Sequence, residues 1–336
     1  MRSDRILLAH GSGGTMMREL IEDVFMERFG DPTLHRMDDA SVLDIPGSRI
    51  ALSTDTYVVS PVFFPGGDIG RLAVAGTVND VATSGATPLY LTVGFILEEG
   101  FLVEDLRRIL VTMADTADEA GVRIVTGDTK VVERGHGDGV YINTAGVGVV
   151  PEGVDLSGTH CKPGDTIILS GTLGDHGIAV ISVREGLTFT TTIETDAAPL
   201  AKLCLAVRAA APDVRCFRDP TRGGLASTLN ELAGASGTSM TVDETLVPVR
   251  DQVRGACEML GYDVFQVANE GKMVAIVPES QAAAALAAMK SAPYGEDAAV
   301  IGEVAEGPAG RVYVKTAFGA RRIMDMLVGE QLPRIC

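Results

Sequence analysis

Cysteine is scarce and scattered: the 336-residue chain holds five, at positions 161, 204, 216, 257 and 336. No C-x-x-C pair occurs, which excludes the common zinc and redox-dithiol motifs, and an odd, widely spread set makes no disulfide framework. The four internal cysteines read as small core residues. Tryptophan is absent, although the apolar content of 46% is ordinary for a soluble protein. Long hydrophobic runs are missing too. The Ala-rich stretch from Ala282 to Met289, closed by Gln281 and Lys290, is too short to span a bilayer. Met1-Arg2-Ser3-Asp4-Arg5 leads into few apolar residues before His10-Gly11, so no secretory signal is expected and the chain reads as cytoplasmic. Positive charge is in deficit, and a formal net charge of −17 argues against nucleic acid or an anionic membrane as partner. An acidic protein can still take a nucleotide when Mg²⁺ stands between carboxylates and phosphates. No H-x-x-x-H spacing, no G-x-x-x-x-G-K-[ST] and no intact dinucleotide fingerprint are present.

What is present is an alternation of helix and strand patterns, which predicts an α/β (α+β) chain long enough for two lobes with buried cores. Thr15 to Phe29 carries Leu20, Ile21, Val24 and Phe25 on one helical face and stops at Gly30. A helix is predicted after Gly66-Gly67 with Asp68 as its N-cap, and another from Val103 to Ala120 closed by Gly121. Leu89 to Ile96, Val122 to Thr126 and Tyr141 to Val150 read as strands. Pro151-Glu152-Gly153 suits a boundary. The expected division is a first lobe over 1–152, a second over 153–324 and a flexible tail over 325–336. The second lobe alternates strands with helices near 174–185, 199–211 and 221–234.

The acidic residues of the first lobe carry chemistry. Asp38-Asp39, Asp55, Asp80 and Asp128 each sit at or near the end of an apolar segment. An oxygen-only donor set of this kind suits Mg²⁺. Gly76, Asn79, Asp80 and Thr83 fall on one helical face while Val74, Val78 and Val81 line another, so the polar strip reads as a ligand wall. Gly11-Ser12-Gly13-Gly14-Thr15, directly before a helix, can cradle phosphate with backbone N–H groups. In Arg218-Asp219-Pro220-Thr221-Arg222-Gly223-Gly224, a helix is expected from Thr221, which places Arg222 in its first turn. A cation there opposes the helix dipole unless an anion is bound. Asn269-Glu270-Gly271-Lys272 places an acid beside a tight turn.

The chain ends in Leu332-Pro333-Arg334-Ile335-Cys336. A thiol there is expected to belong to no core and to swing freely, with Gly329, Glu330 and Gln331 as its hinge. The last seven residues, from Glu330, reach roughly 23 Å when extended. Prenylation is excluded, because it needs the cysteine fourth from the end.

Asp38-Asp39-Ala40, Thr54-Asp55, Asn79-Asp80-Val81-Ala82 with Gly85-Ala86-Thr87-Pro88, and Gly127-Asp128-Thr129-Lys130 together resemble the ATP-binding half of the aminoimidazole ribonucleotide synthetase (PurM-like) superfamily. His10-Gly11-Ser12-Gly13-Gly14, Asp219-Pro220-Thr221-Arg222-Gly223-Gly224, Asn269-Glu270-Gly271-Lys272 and Pro333-Arg334-Ile335-Cys336 narrow the resemblance to the hydrogenase-maturation carbamoyl dehydratases, the HypE family, over essentially the whole chain. The resemblance implies a two-lobed PurM-like fold whose first lobe binds ATP and forms a homodimer. It implies that Cys336 receives a carbamoyl group from HypF and that ATP drives its dehydration to a thiocyanate. The cyano group then passes to iron on a HypC–HypD complex, for a [NiFe]-hydrogenase. It further implies ATP held by Gly11, Gly13, Gly14, Asn79, Asp80, Gly127, Asp128, Thr129, Arg222, Gly223 and Gly224. Asp38, Asp39, Asp55, Asp80 and Asp128 form the pool of Mg²⁺ ligands. Glu270 is the favoured base, with Lys130 as competing or assisting group. Rival readings are a small-molecule kinase of the same superfamily, such as selenide, water dikinase or thiamine monophosphate kinase, and a non-catalytic adaptor with a docking tail.

Overall fold

The computed structural model describes residues 14–25, 36–187, 193–327, 332 and 334–336. In the first lobe, β1 (Ser41–Ile45) and β2 (Ser48–Tyr57) form a hairpin, and the two-residue strands β3 (Phe63–Phe64) and β4 (Gly67–Asp68) lead into the helix Ile69–Thr83. After β5 (Thr87–Glu98) the helix Val103–Ala120 crosses to β6 (Arg123–Val132), and β7 (Val140–Val149) returns between β2 and β5. The sheet order is β1-β2-β7-β5-β6. All its pairs are antiparallel except β5–β6, whose parallel pairing requires the helical crossover.

The Ile69–Thr83 helix is buried at every position except Arg71 and Asp80, as expected of a helix made almost wholly of small and aliphatic residues. Asp68 caps it: Oδ1 accepts from the N–H groups of Gly70 (2.8 Å) and Arg71 (3.1 Å), while Thr112 donates to Oδ2 at 2.8 Å and ties the cap to the neighbouring helix. Its close approach to β2 depends on Gly76, where a Cβ would lie 2.3 Å from Tyr57 Oη.

The second lobe is one sheet in the order β14-β13-β10-β12-β8-β11-β9. Its strands are β8 (Asp165–Leu169), β9 (Cys216–Arg218), β10 (Ser239–Asp243), β11 (Val274–Pro278), β12 (Ala299–Ala305), β13 (Arg311–Lys315) and β14 (Arg321–Ile323). Alternation along the strands builds two cores. Ile167, Leu169, Val274 and Ile276 pack with the helix Gly224–Ser236. Ile168, Ala275 and Val277 face the helices Ala201–Ala210 and Glu279–Ser291, and this second core runs on into the first lobe through Leu72, Val78 and Tyr57. The lobes therefore share apolar packing, with the Ile69–Thr83 helix at the seam.

Two sequence expectations change here. The Gly224 helix begins three residues later than expected, with Gly223 as N-cap, and both glycines take positive φ (76° and 59°). A Cβ on Gly224 would meet the Phe265 and Val267 carbonyl oxygens at 2.6 Å, so the chain needs two left-handed glycines before the helix can start. At the amino end the α-helix covers only Thr15–Leu20 and continues as a π-turn over Ile21–Phe25, while the remainder of the expected segment lies outside the described residues.

Candidate active site

Acidic groups from both lobes meet at the seam. β2 turns Ser53, Asp55 and Tyr57 toward the buried Ile69–Thr83 helix, and Ser53 Oγ donates to Asp80 Oδ2 at 2.8 Å. Asp39, just before β1, is paired by Arg218 Nε at 3.0 Å; the same guanidinium reaches Glu231 at 2.7 Å and the Met37 carbonyl at 2.9 Å. Asp219 follows directly, and Glu270 stands before β11. Burial pushes Asp80 well above the ordinary carboxylate range, and repulsion from Asp219, Asp39 and Asp55 adds to it. Asp39 is raised by burial despite the opposing pull of Arg218. Asp219 is pushed up to about 6, again chiefly by burial. Glu270 is raised by burial and then by the charges of Asp55, Asp219 and Asp196. Such a set holds protons or seeks cations.

The tail is docked. Ile335 and Cys336 are buried in the core shared by the lobes, which corrects the expectation of a free, flexible chain end. The cause is local: β2 stops at Tyr57, and the next free backbone donors are satisfied by the tail. Val58 N–H donates to Cys336 O at 3.0 Å and Ser60 N–H to Arg334 O at 3.1 Å, an antiparallel addition. Arg334 Nε returns a bond to Val58 O at 3.1 Å and its Nη2 pairs with Asp138, while Arg184 donates to Arg334 O at 2.7 Å. The Cys336 thiol is thereby set close enough to Glu270 to feel its charge. Burial foremost drives the thiol pKa up, Arg222 opposes this, and Glu270 and Asp55 reinforce it.

The expected site residues part company here. Asp39, Asp55, Asp80, Arg222, Glu270 and Cys336 come together through mutual electrostatic influence. Asp38 lies beside them but is engaged by Arg36 (2.8 Å) and Ser157 (3.1 Å). Asn79 is no open ligand wall: its amide donates to Ala198 O (3.0 Å) and accepts from Leu200 N–H (2.7 Å), fastening one lobe to the other. Asp128 and Lys130 do not join the cluster in this chain. Asp128 pairs with Gly94, Gly94 with Asn143 and Asn143 with Thr56, on the sheet face opposite that of Asp55. There Lys130 donates to Asp128 at 2.5 Å, Thr129 N–H donates to the same carboxylate at 2.9 Å, and both side chains lie exposed on β6. Thr129 shares their strand. Gly127 serves packing, since a Cβ would meet Val93 O at 2.5 Å. Gly223 supplies the N-cap turn, and Gly14 lets Leu327 O approach, where a Cβ would lie 2.4 Å away. Gly11 and Gly13, and the hinge residues Gly329, Glu330 and Gln331, lie outside the described residues.

Three contributors were not singled out from sequence. Asp219 stood in a recognised motif but read as a turn residue. Asp196, whose Oδ1 accepts from Glu270 N–H at 3.0 Å, and His176, which reaches the tail, had no local signal except their place in Gly174-Asp175-His176-Gly177 and Thr195-Asp196.

The donor chemistry fits a hard cation and phosphate. Among the described residues no three His, Cys, Asp or Glu side chains cage a metal ion, yet Mg²⁺ keeps waters and needs only one or two carboxylates beside phosphate oxygens. Asp39 Oδ2 and Glu270 Oε1 are buried without a hydrogen-bond partner, and Asp55, Asp80 and Asp219 repel one another across an all-oxygen site.

Comparison with known proteins gives this architecture its class. The AIR synthase related protein N-terminal domain matches residues 37–150 and its C-terminal domain residues 162–315, so the molecule is a two-domain AIR synthase related protein of PurM-like fold. Carbamoyl dehydratase HypE of Azotobacter vinelandii is 53% identical over 336 residues, which is 100% of this chain and 98% of that protein. HypE in a HypE–HypF complex superposes with a TM-score of 0.88 at 49% identity, covering 92% of this chain and 99% of its own. HypE in complex with ATP gives 0.84 at 49%, covering 99% and 100%. The chain belongs to the HypE family, the carbamoyl dehydratases of hydrogenase maturation. No helix among the described residues is long and apolar enough to cross a membrane.

Proposed function

We propose that this chain dehydrates an S-carbamoyl group on its own Cys336 to a thiocyanate, consuming ATP, and so supplies the cyano ligand of the [NiFe]-hydrogenase iron. The observation that carries the reading is the buried Cys336 thiol held beside Glu270 within an acid cluster. Carbamoyl oxygen is a poor leaving group. Transfer of the γ-phosphoryl to that oxygen, with loss of one nitrogen proton, turns it into phosphate. The C–O bond then breaks, phosphate departs with the electron pair, and the second nitrogen proton leaves as C≡N forms. The sum is thiocarbamate plus ATP giving thiocyanate, ADP and phosphate.

Phosphoryl transfer needs positioning and charge neutralisation more than covalent help. Arg222, beside Cys336 and Asp55, is placed to meet phosphate charge. Asp39, Asp55 and Asp80 would hold Mg²⁺, which neutralises charge on the transferred group. Glu270, with its raised proton affinity, suits the role of base for the nitrogen protons. A thiol that is buried and held protonated is a poor nucleophile. The tail must therefore leave the cleft to load its carbamoyl group from HypF, return for dehydration, and leave again to meet HypC–HypD.

The exposed β6 edge, with Ile124, Val125 and Val131 uncovered, suits a homodimer interface. In such a dimer Asp128 and Lys130 act across the interface, on the nucleotide of the partner site. The test is intact-protein mass spectrometry after incubation with HypF, carbamoyl phosphate and MgATP, with the C-terminal peptide sequenced. A carbamoyl adduct on Cys336 that loses one water only with hydrolysable ATP bears out the reading. An unmodified Cys336 beside a competent HypF control rejects it.

A further inference from the structure

His176 is fully buried at the start of the helix Asp175–Arg184, and nothing in the reaction above uses it. Its ring lies edge-on to Phe64 with centroids 5.5 Å apart. Both ring nitrogens are engaged. Nδ1 lies 2.8 Å from Thr195 Oγ1 and Nε2 lies 2.7 Å from Ile335 O, the carbonyl of the peptide bond that carries Cys336. The tautomer follows from Ile335 O, which as a backbone carbonyl can only accept. Thr195 Oγ1, which accepts from Ala197 N–H at 3.1 Å, turns its own proton to Nδ1. Nδ1 then accepts, and Nε2 must carry the proton, which it donates to Ile335 O. Burial lowers the His176 pKa, which keeps the ring neutral and this donor pattern fixed.

The segment that orients the ring also holds the base. Asp196, between Thr195 and Ala197, accepts the Glu270 N–H at 3.0 Å through Oδ1, and Lys272 lies 3.4 Å from its Oδ2. The same helix packs closely here: a Cβ on Gly177 would meet Val267 Cγ1 at 2.4 Å and Leu332 Cδ1 of the tail at 3.1 Å. One short stretch, 195–197, thus sets Glu270 directly and the Ile335–Cys336 peptide through His176. We infer that His176, held at Nδ1 by the Thr195 hydroxyl, is a positioning residue that clamps the docked tail and registers Cys336 against Glu270. It touches no reacting atom and acts only through the Ile335 carbonyl. The inference rests on the dehydratase reading for its purpose, but the clamp itself is testable without turnover.

The experiment compares wild type, His176→Phe, which keeps the ring and loses the donor, and His176→Gln, which returns an N–H near the Nε2 position. Thr195→Val, which leaves the ring in place and removes the hydroxyl, covers the case in which the Phe variant fails to fold. Each full-length protein is treated with iodoacetamide and the C-terminal peptide is weighed over time, because a docked Cys336 is shielded. Carbamoylation by HypF and single-turnover conversion of carbamoyl-Cys336 to thiocyanate are then followed. The expected result is about tenfold faster alkylation of Cys336 in His176→Phe, the factor one ordinary hydrogen bond supports. Thiocyanate formation should slow by a similar factor with carbamoylation unimpaired. Thr195→Val should shift in the same direction, and His176→Gln should stay near wild type. Unchanged alkylation in both His176→Phe and Thr195→Val overturns the clamp. Equal impairment of the Phe and Gln variants overturns it as well, because ring packing rather than the donated bond would then be responsible. If wild type forms no thiocyanate, the dehydratase reading fails and the alkylation ratios alone decide the clamp.

Discussion

Glu270 and Asp219 are costly residues to bury, and the cost is visible in their titration. A carboxyl raised by burial and by neighbouring acids can take a proton from a weakly acidic nitrogen that an ordinary carboxylate would leave alone. Glu270→Gln keeps shape and volume and removes that capacity. Thiocyanate formation should fall by about 10²-fold or more in single-turnover mass spectrometry, while HypF still loads Cys336 and ATP still binds. Full turnover in the variant would remove Glu270 from the mechanism. Asp219 makes a prediction about stability. Its folded pKa of about 6 lies above the ordinary 3.8, so the folded state is favoured while the group is protonated and loses that advantage as pH rises through about 6. The loss builds between about pH 4 and pH 7 and amounts to something on the order of 3 kcal/mol. Urea unfolding across that range should show it in wild type and a flatter profile in Asp219→Asn; parallel profiles would show that Asp219 carries no such charge burden. The first-lobe acids were legible in sequence as residues near the ends of apolar segments, whereas Asp219 read as a turn residue. Which of them converge was not, because strand parity decides it: Asp55 and Asp128 look equivalent in the chain and emerge on opposite faces of one sheet.

The Ile69–Thr83 helix shows how an element can be read correctly and its polar face misread. Its start and its cap at Asp68 followed from local rules, as did the helix closed by Gly121. The strip of Gly76, Asn79, Asp80 and Thr83 suggested a ligand wall, but three of those positions face protein. Gly76 meets Tyr57, Asn79 holds the 198–200 backbone, and Thr83 donates to Asp80 O at 2.7 Å. No local pattern reports that a second lobe will cover a helix face. Asn79→Ala should therefore act on stability before it acts on nucleotide. It strands the buried Ala198 carbonyl and Leu200 N–H, at about 1–3 kcal/mol each, and the unfolding midpoint in denaturant should drop accordingly. Unchanged stability with lost ATP binding would restore the ligand reading. Gly76→Ala should cost about 1–3 kcal/mol by overpacking against Tyr57, read in the same unfolding experiment.

At the scale of the molecule, two features bear on how the parts work together: a tail that is docked and an edge strand that is bare. The tail stood out in sequence because it ends in cysteine. It was not legible as packed, because its partners lie at Val58, Ser60, His176 and Arg184, far off in sequence. The bare strand is the converse. Among the described residues β6 has no partner strand along one side, and Val131 is 67% exposed, while Asp128 and Lys130 face away from the acid cluster of their own chain. A long, uncovered apolar edge calls for a partner. A two-fold dimer would bring each Lys130 to the other subunit's cleft, so that every working site takes Glu270 and Cys336 from one chain and Lys130 from the other. Complementation then follows from symmetry. Lys130→Ala and Glu270→Gln should each be defective alone. Unfolded together and refolded as a mixture, about half the dimers pair one of each, and one of the two sites in such a dimer is intact. Activity should recover to roughly a quarter of wild type by the counting that two-fold symmetry dictates, and the mass spectrum should place the new thiocyanate only on the Lys130→Ala chain. Recovery on neither chain, with heterodimers present by native mass spectrometry, would return Lys130 to its own subunit or remove it from the site altogether.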